Sequence, residues 1–302
     1  MQSKSWLLPE GIDELLPDEA AALEQLRRNL LDSYVSWGYQ LVMPPFIEYL
    51  DSLLTGTGKD LKKQTFQLID QLNGEQLGIR ADITPQVARI DSHQLRSKAP
   101  TRLCYVGSVL RTRLDGFSSS RSPLQIGAEL YGHNGLDSDA EILNIMAETL
   151  NIAGIENYFL DIGHVGILRS LAKQAKLNSN QESVMFDALQ RKAKVELSEL
   201  TREFGLSKDS SEMFTHLADL NGGIETLDRA KKLLNKAPRN VMEDIDYLKN
   251  LTKILQQRMP EVPLHFDLAE LRAYRFHTGV VFAAFFQGQG NEIARGGRYD
   301  AS

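Results

Sequence analysis

Asp82 and Thr84 stand two residues apart in IRADITPQVAR (residues 79–89), at what reads as a strand end, so both side chains fall on one face. A carboxylate beside a hydroxyl can hold an ammonium group, the first by charge and the second as a further acceptor. The same pair can equally cap the helix that follows. A second group lies in LRTRLDGFSSSRSPLQIGAE (residues 110–129). Arg111 and Arg113 fall on one side of a strand and Arg121 follows a Gly/Ser-rich turn, a spacing that suits phosphate. On the return strand Gln125, Gly127 and Glu129 share a face. A glutamate among apolar strand residues needs a partner, because an unpaired buried charge is costly. A cationic ligand, an imidazole or an internal arginine each supplies one. A third group, ARGGRYD (residues 294–300), sets two glycines where backbone can approach a ligand closely or form a strand-end bulge.

The elements that must position these groups are legible from periodicity. Asp18 opens a helix with Leu23, Leu26, Leu30, Tyr34 and Trp37 on one face, ending at Gly38. A short strand, YQLVM, runs into Pro44-Pro45, and FIEYLDSLLTGTG reads as a short helix and loop. FQLID and LGIRAD form a hairpin with Asn73-Gly74 at its turn. Pro85 to Leu95 reads as a helix with proline in its first turn. Leu103–Leu110 and Leu124–Leu130 are strands flanking the Gly/Ser-rich loop. Ser138 with Glu141 spells a capping box for a helix reaching Leu150. NYFLDIG alternates as a strand, and residues 165–259 are almost wholly helical. LHFDL, GVVFAAFF and EIARGG return to strand. Blocks of hairpin-joined strands with helices predict an α+β protein, an antiparallel sheet flanked by helices. The expected organisation is one α+β domain from residues 1–164 and 260–302 with a helical insertion at 165–259.

Composition narrows the function classes. The 302 residues are 42% hydrophobic and 25% charged, the balance of an ordinary globular protein. Cys104 is the only cysteine, so no intramolecular disulfide can form, and its apolar strand RLCYVG marks it as a buried structural thiol in a reducing compartment. The longest apolar run, Gly279–Phe286, is far short of the roughly 20 residues a bilayer needs. No signal-peptide pattern is present, so a cytoplasmic location and no membrane partner are expected. The net charge of −6 carries no strong basic excess, which argues against a nucleic-acid partner. Neither GxGxxG nor GxxxxGK[ST] occurs, and no metal site or cofactor is expected.

Taken in order, these segments resemble the class II aminoacyl-tRNA synthetase catalytic domain, specifically that of histidyl-tRNA synthetase. QLVMPPFIEY is similar to the end of the first class II motif, with its proline at the dimer interface. CYVGSVLRTR and SRSPLQIGAE are similar to the second motif, the strand–loop–strand that holds ATP. LRAYRFHTGVVF and ARGGRYD are similar to the two histidine-specific segments, and IRADITPQVAR to the amino-group site. The resemblance runs from about residue 8 to residue 300 and is weakest in the helical insertion. It implies that Asp82 and Thr84 hold the α-amino group of histidine, and that Gln125 and Glu129 contact the amino acid, Glu129 toward the imidazole. It further implies that Arg272 contacts the carboxylate, that Tyr299 lies in the second histidine segment, and that His277 replaces a histidine-contacting tyrosine.

The ATP half departs from that pattern. Arg111 matches the α-phosphate arginine. Arg113, however, stands where the synthetase has an acid near adenine, and Pro123 stands where a phenylalanine stacks on it. Each loss removes on the order of 1–3 kcal/mol of binding. The third class II motif, with its γ-phosphate arginine, and an anticodon-binding domain are not seen. Ending at Ser302, before the family's next strand and helix, is expected to expose a sheet edge.

A retained amino-acid pocket beside a lost ATP site resembles the synthetase paralogue that serves as regulatory subunit of ATP phosphoribosyltransferase. LQIGAELYGH, LDIGHVGI and FHTGVVFA are closer to that paralogue. This resemblance implies a non-catalytic subunit with no catalytic residues of its own. Its partners would be a short catalytic subunit in a hetero-octamer built on a synthetase-like dimer. Its effector would be L-histidine, bound by Asp82, Thr84, Arg111, Gln125, Glu129, Arg272, His277 and Tyr299. A catalytic fragment of a true synthetase and a free-standing amino-acid-binding paralogue are the alternatives.

Overall fold

The computed structural model describes residues 6–55, 59–114, 120–269, 277–288, 290 and 292–300. Two compact units divide the chain: residues 1–138 with 145–155, and residues 139–144 with 156–302.

The first unit opens with helix α1 (Pro17–Ser36), whose proline falls in the first turn, where a missing N–H costs nothing. Leu30 and Tyr34 are its buried residues, and Gly38 follows in a left-handed conformation. Strand β1 (Gln40–Leu41), strand β2 (Ile47–Tyr49) and the short helices α2 (Leu50–Leu54) and α3 (Lys59–Gln64) come next. Strands β3 (Phe66–Ile69) and β4 (Gln76–Ile79) form the expected hairpin, with Gly74 at φ +81° in its turn. Helix α4 (Thr84–Arg89) runs directly into one π-helical segment, Ile90–Leu95. Strands β5 (Thr101–Ser108) and β6 (Leu124–Tyr131) complete the series, and helix α5 (Leu136–Ile152) contributes residues to both units.

Two three-stranded sheets result, ordered β1-β5-β6 and β2-β4-β3. β5 and β6 pair antiparallel over their whole length, with Tyr105 opposite Gly127 and Leu103 opposite Glu129. Ile83, Val87, Leu103, Tyr105 and Val109 form the core that backs this hairpin. Cys104 is fully buried, and burial pushes its thiol pKa up to about 11.

The second unit holds a five-stranded sheet ordered β11-β10-β7-β9-β8, from β7 (Tyr158–His164), β8 (Asn221–Gly222), β9 (Leu264–Asp267), β10 (Val280–Phe286) and β11 (Glu292–Gly297). Six helices fill the chain between β7 and β9: α6 (Val165–Gln174), α7 (Ser179–Gln190), α8 (Lys194–Glu203), α9 (Lys208–Leu217), α10 (Glu225–Leu233) and α11 (Arg239–Arg258). Val241, Ile245, Leu248, Leu251 and Leu255 give α11 its buried stripe. Among the described residues no helix is long and apolar enough to cross a membrane.

Several local expectations change. β1–β5 and β7–β9 are parallel pairs, which the long intervening segments allow, since a parallel pair needs a crossover rather than a tight turn. Ile47–Tyr49 forms β2 and the helix begins only at Leu50, because Ile47, Glu48 and Tyr49 pair with β4. Ser138 caps nothing: α5 starts two residues earlier with Gly135 as N-cap, and the Ser138 hydroxyl bonds to His133.

Candidate functional site

The Asp82 and Glu129 neighbourhoods meet on one hydroxyl. β4 delivers the chain to Asp82, whose Oδ1 accepts the Thr84 amide (3.0 Å) and the Gln125 side-chain amide (2.8 Å). The first bond is a local turn contact one residue ahead of the α4 N-cap. That N-cap is Ile83, which makes no side-chain cap bond, so neither Asp82 nor Thr84 is the cap residue. The second carries the carboxylate across to β6 as well. Gln125 returns with its own oxygen, which accepts the Ile83 amide at 3.1 Å. The Thr84 hydroxyl lies 2.9 Å from the Tyr105 hydroxyl, and the latter donates toward Glu129 Oε1 at 3.5 Å. Asp82, Thr84, Gln125 and Glu129 are thus joined in one network, all of them partly buried.

Tyr105 was given no role by the sequence pattern, where it reads as one more apolar strand residue. It is 3% exposed and is the centre of the group. Its ring crosses the face of Gly127 so closely that a β-carbon there would collide with the phenolic oxygen. A glycine inside a strand is the signal that another group approaches there. Burial, then the charges of Glu129 and Asp82, hold the Tyr105 pKa well above its ordinary value. The phenol therefore stays a neutral donor beside two carboxylates. Such a site has hydroxyl acceptors and a carboxylate at each end. It suits a ligand with one ammonium group and a second N–H donor.

The arginines behave differently. Arg111 is buried while Arg113 is exposed, so the two do not share a side; the strand ends at Ser108 and the chain turns before Arg113. Arg111 Nε donates to the Ala81 carbonyl at 3.3 Å. Arg121 Nε donates to the Arg111 carbonyl (3.0 Å), its Nη1 to the Glu10 carbonyl (3.1 Å), and its guanidinium lies over the Phe66 ring. Arg80, also unassigned by the pattern, is 7% exposed and donates to the carbonyls of Ser108 and Pro44, each at 2.8 Å. Burial lowers its pKa.

In the second unit, Gly296 and Gly297 lie in regular strand. Neither makes a bulge: a β-carbon would lie 2.6 Å from the Phe282 ring at Gly296 and 2.6 Å from the His277 ring at Gly297. His277 and Tyr299 are partly buried on adjacent chain segments, linked by the Thr278 amide to the Arg298 carbonyl at 2.7 Å. Arg298 donates through Nε and Nη2 to Asp139 Oδ1 (3.1 and 2.7 Å), and Tyr247 donates to Asp139 Oδ2 (2.7 Å). Arg272 lies outside the described residues.

The chain as a whole is similar to proteins of known family. The family profile described as Histidyl-tRNA synthetase matches residues 11–302. An "ATP phosphoribosyltransferase regulatory subunit" of Alkalilimnicola ehrlichii is 57% identical over 98% of this chain and 74% of its own length. A protein of the same description from Thioalkalivibrio sulfidiphilus is 55% identical over 99% of the chain and 75% of its own. Among solved structures, an "ATP phosphoribosyltransferase regulatory subunit/histidyl-tRNA synthetase" from Bacillus halodurans aligns with a TM-score of 0.88 at 26% identity. That alignment covers 99% of this chain and 77% of the other.

Proposed function

The chain belongs to the family of ATP phosphoribosyltransferase regulatory subunits, built on the histidyl-tRNA synthetase domain, and from that premise we propose that its Tyr105-centred network is an L-histidine site. The chain is a non-catalytic regulatory subunit of the enzyme that opens histidine biosynthesis, and its partner is the catalytic subunit of that enzyme.

In the proposed mode the α-ammonium group sits between Asp82 and the Thr84 hydroxyl. The imidazole N–H donates to Glu129, whose position Tyr105 fixes, and Gln125 ties the two ends together. One observation carries this reading: two partly buried carboxylates share a network with the neutral phenol of Tyr105. Occupancy inhibits the complex only if histidine binds its inhibited state more tightly, a differential affinity and not mere binding. The bonds from Arg111 and Arg121 to carbonyls support a further part of the reading, that adenylation and aminoacylation are lost. Self-association as a synthetase-like dimer would bury the outward strip of Leu41, Met43, Phe46, Ile47 and Tyr49. The strip carries no outward charge that such burial would have to desolvate. Four such subunits with four short catalytic subunits make the proposed hetero-octamer.

Co-purification with the short catalytic subunit, followed by histidine titration of its activity, tests this. Wild type is expected to confer histidine inhibition, and Glu129→Gln to raise the inhibitory concentration while activation persists. Unchanged inhibition in Glu129→Gln would remove this pocket as the effector site. Robust histidine-dependent ATP–pyrophosphate exchange would restore the synthetase alternative.

A further inference from the structure

Helix α4 is only six residues long, and its two ends reach two different surfaces of the first unit. Its first residue, Thr84, faces the pocket through the Tyr105 hydroxyl and the Asp82 carboxylate. Gln86, two residues on and 1% exposed, points the other way. Its Nε2 donates to the Pro45 carbonyl (2.8 Å) and to Glu48 Oε1 (2.9 Å). Arg89, at the helix end, donates to the same Glu48 oxygen. Glu48 is the single acid in the strip from Leu41 to Tyr49, and its side chain is 8% exposed, turned inward while its neighbours face out. Arg80, two residues before Asp82, holds the adjacent Pro44 carbonyl and lies over the Phe46 ring. Residues 80–89 therefore build the pocket with one set of atoms and hold the backbone of the apolar strip with the next.

We propose that Gln86 and Arg89 are positioning residues that couple occupancy of the pocket to self-association across the Leu41–Tyr49 strip. The proposal rests on the histidine reading of the pocket and deepens it into a regulatory linkage. At 1.5 Å per residue, α4 spans about 9 Å, and packed interiors have little slack over such a distance. An ammonium group held between Asp82 and Thr84 fixes the first turn of α4, and the helix passes that constraint to Pro45 and Glu48. Neither Gln86 nor Arg89 is placed against the ligand. Linkage is reciprocal: the factor by which histidine tightens self-association is the factor by which self-association tightens histidine binding.

The test pairs calorimetric titration of L-histidine with sedimentation equilibrium of the protein, each with and without the other condition, in wild type, Glu129→Gln, Gln86→Met, Arg89→Gln and Arg89→Lys. Wild type is expected to show histidine tightening self-association by about fivefold or more, the low end of measured couplings. Gln86→Met and Arg89→Gln are expected to abolish that tightening and weaken histidine affinity by a similar factor, while Arg89→Lys retains much of both. Weakened self-association with histidine affinity unchanged in Gln86→Met and Arg89→Gln would overturn the linkage and leave the pocket standing. Failure of Glu129→Gln to weaken binding, or no binding in wild type, would instead overturn the pocket reading, and the linkage with it. Should Gln86→Met lose its cooperative melt, the two Arg89 variants carry the comparison alone.

Discussion

The β5–β6 hairpin carries polar groups at both of its ends, and they are engaged in opposite ways. Along the strands, Tyr105, Gln125 and Glu129 join in one network with Asp82 and Thr84 at the head of α4. Beyond the strands, Arg111 and Arg121 bond to main-chain carbonyls of Ala81, Arg111 and Glu10. Side chains that bond to side chains can exchange a partner for a ligand with little backbone change. A guanidinium that satisfies a carbonyl is framework, since removing it strands a polar group. Residues with the right types for phosphate thus do structural work at one end. Residues of ordinary type form the network proposed as a ligand site at the other.

The sharpest way to break the pocket end is Gly127→Val. The new side chain must displace the Tyr105 ring, so a loss of about 3 kcal/mol is expected by chemical denaturation, together with loss of histidine binding. A stable, binding-competent variant would show that the Tyr105–Gly127 contact does not build the site. Tyr105→Phe is milder: it deletes only the hydroxyl, leaving Thr84 and Glu129 without their link. Histidine affinity should fall about tenfold, equivalent to about 1.4 kcal/mol, with the fold intact by circular dichroism. An affinity within twofold of wild type would contradict that role. At the other end, Arg121→Ala should cost about 1 kcal/mol of stability through its carbonyl bonds, yet leave histidine affinity within twofold. A large drop in affinity with stability preserved would return Arg121 to the ligand side.

Outside the hairpin, His265 offers the smallest effect and a pH signature. Its bond to Asp161 raises its pKa, with burial opposing. A raised folded pKa means that the stabilisation is complete below the ordinary histidine pKa of about 6.5 and is lost as pH rises through the folded value. The stability gap between wild type and His265→Gln should therefore be widest at acidic pH and close toward alkaline pH. A gap that does not vary with pH would show that the ion pair contributes nothing.

Much of the fold follows from local pattern. The Asn73-Gly74 turn, the α1 stripe and the helical run from Val165 depend on neighbours within one or two turns of chain. What escaped depends on distant partners. β2 is three residues long and exists because β4 pairs with it. Ser138 is not the cap because α5 begins at Leu136, which puts Ser138 inside the helix with its hydroxyl bonded to His133. Asp82, Thr84, Gln125 and Glu129 could be named from alternation and charge, since strand periodicity fixes which residues share a face. Tyr105 could not. Its role is set by the register that puts it opposite Gly127, twenty-two positions away in the chain. Arg80 sat beside two named residues, and nothing local distinguishes an arginine that holds carbonyls from one that holds a ligand.

Calorimetric titration of L-histidine into the wild-type protein and into Glu129→Gln tests the pocket most directly. Saturable binding in wild type, weakened about tenfold or more when Glu129 loses its charge, is the expected result. Equal affinities in the two proteins would contradict it.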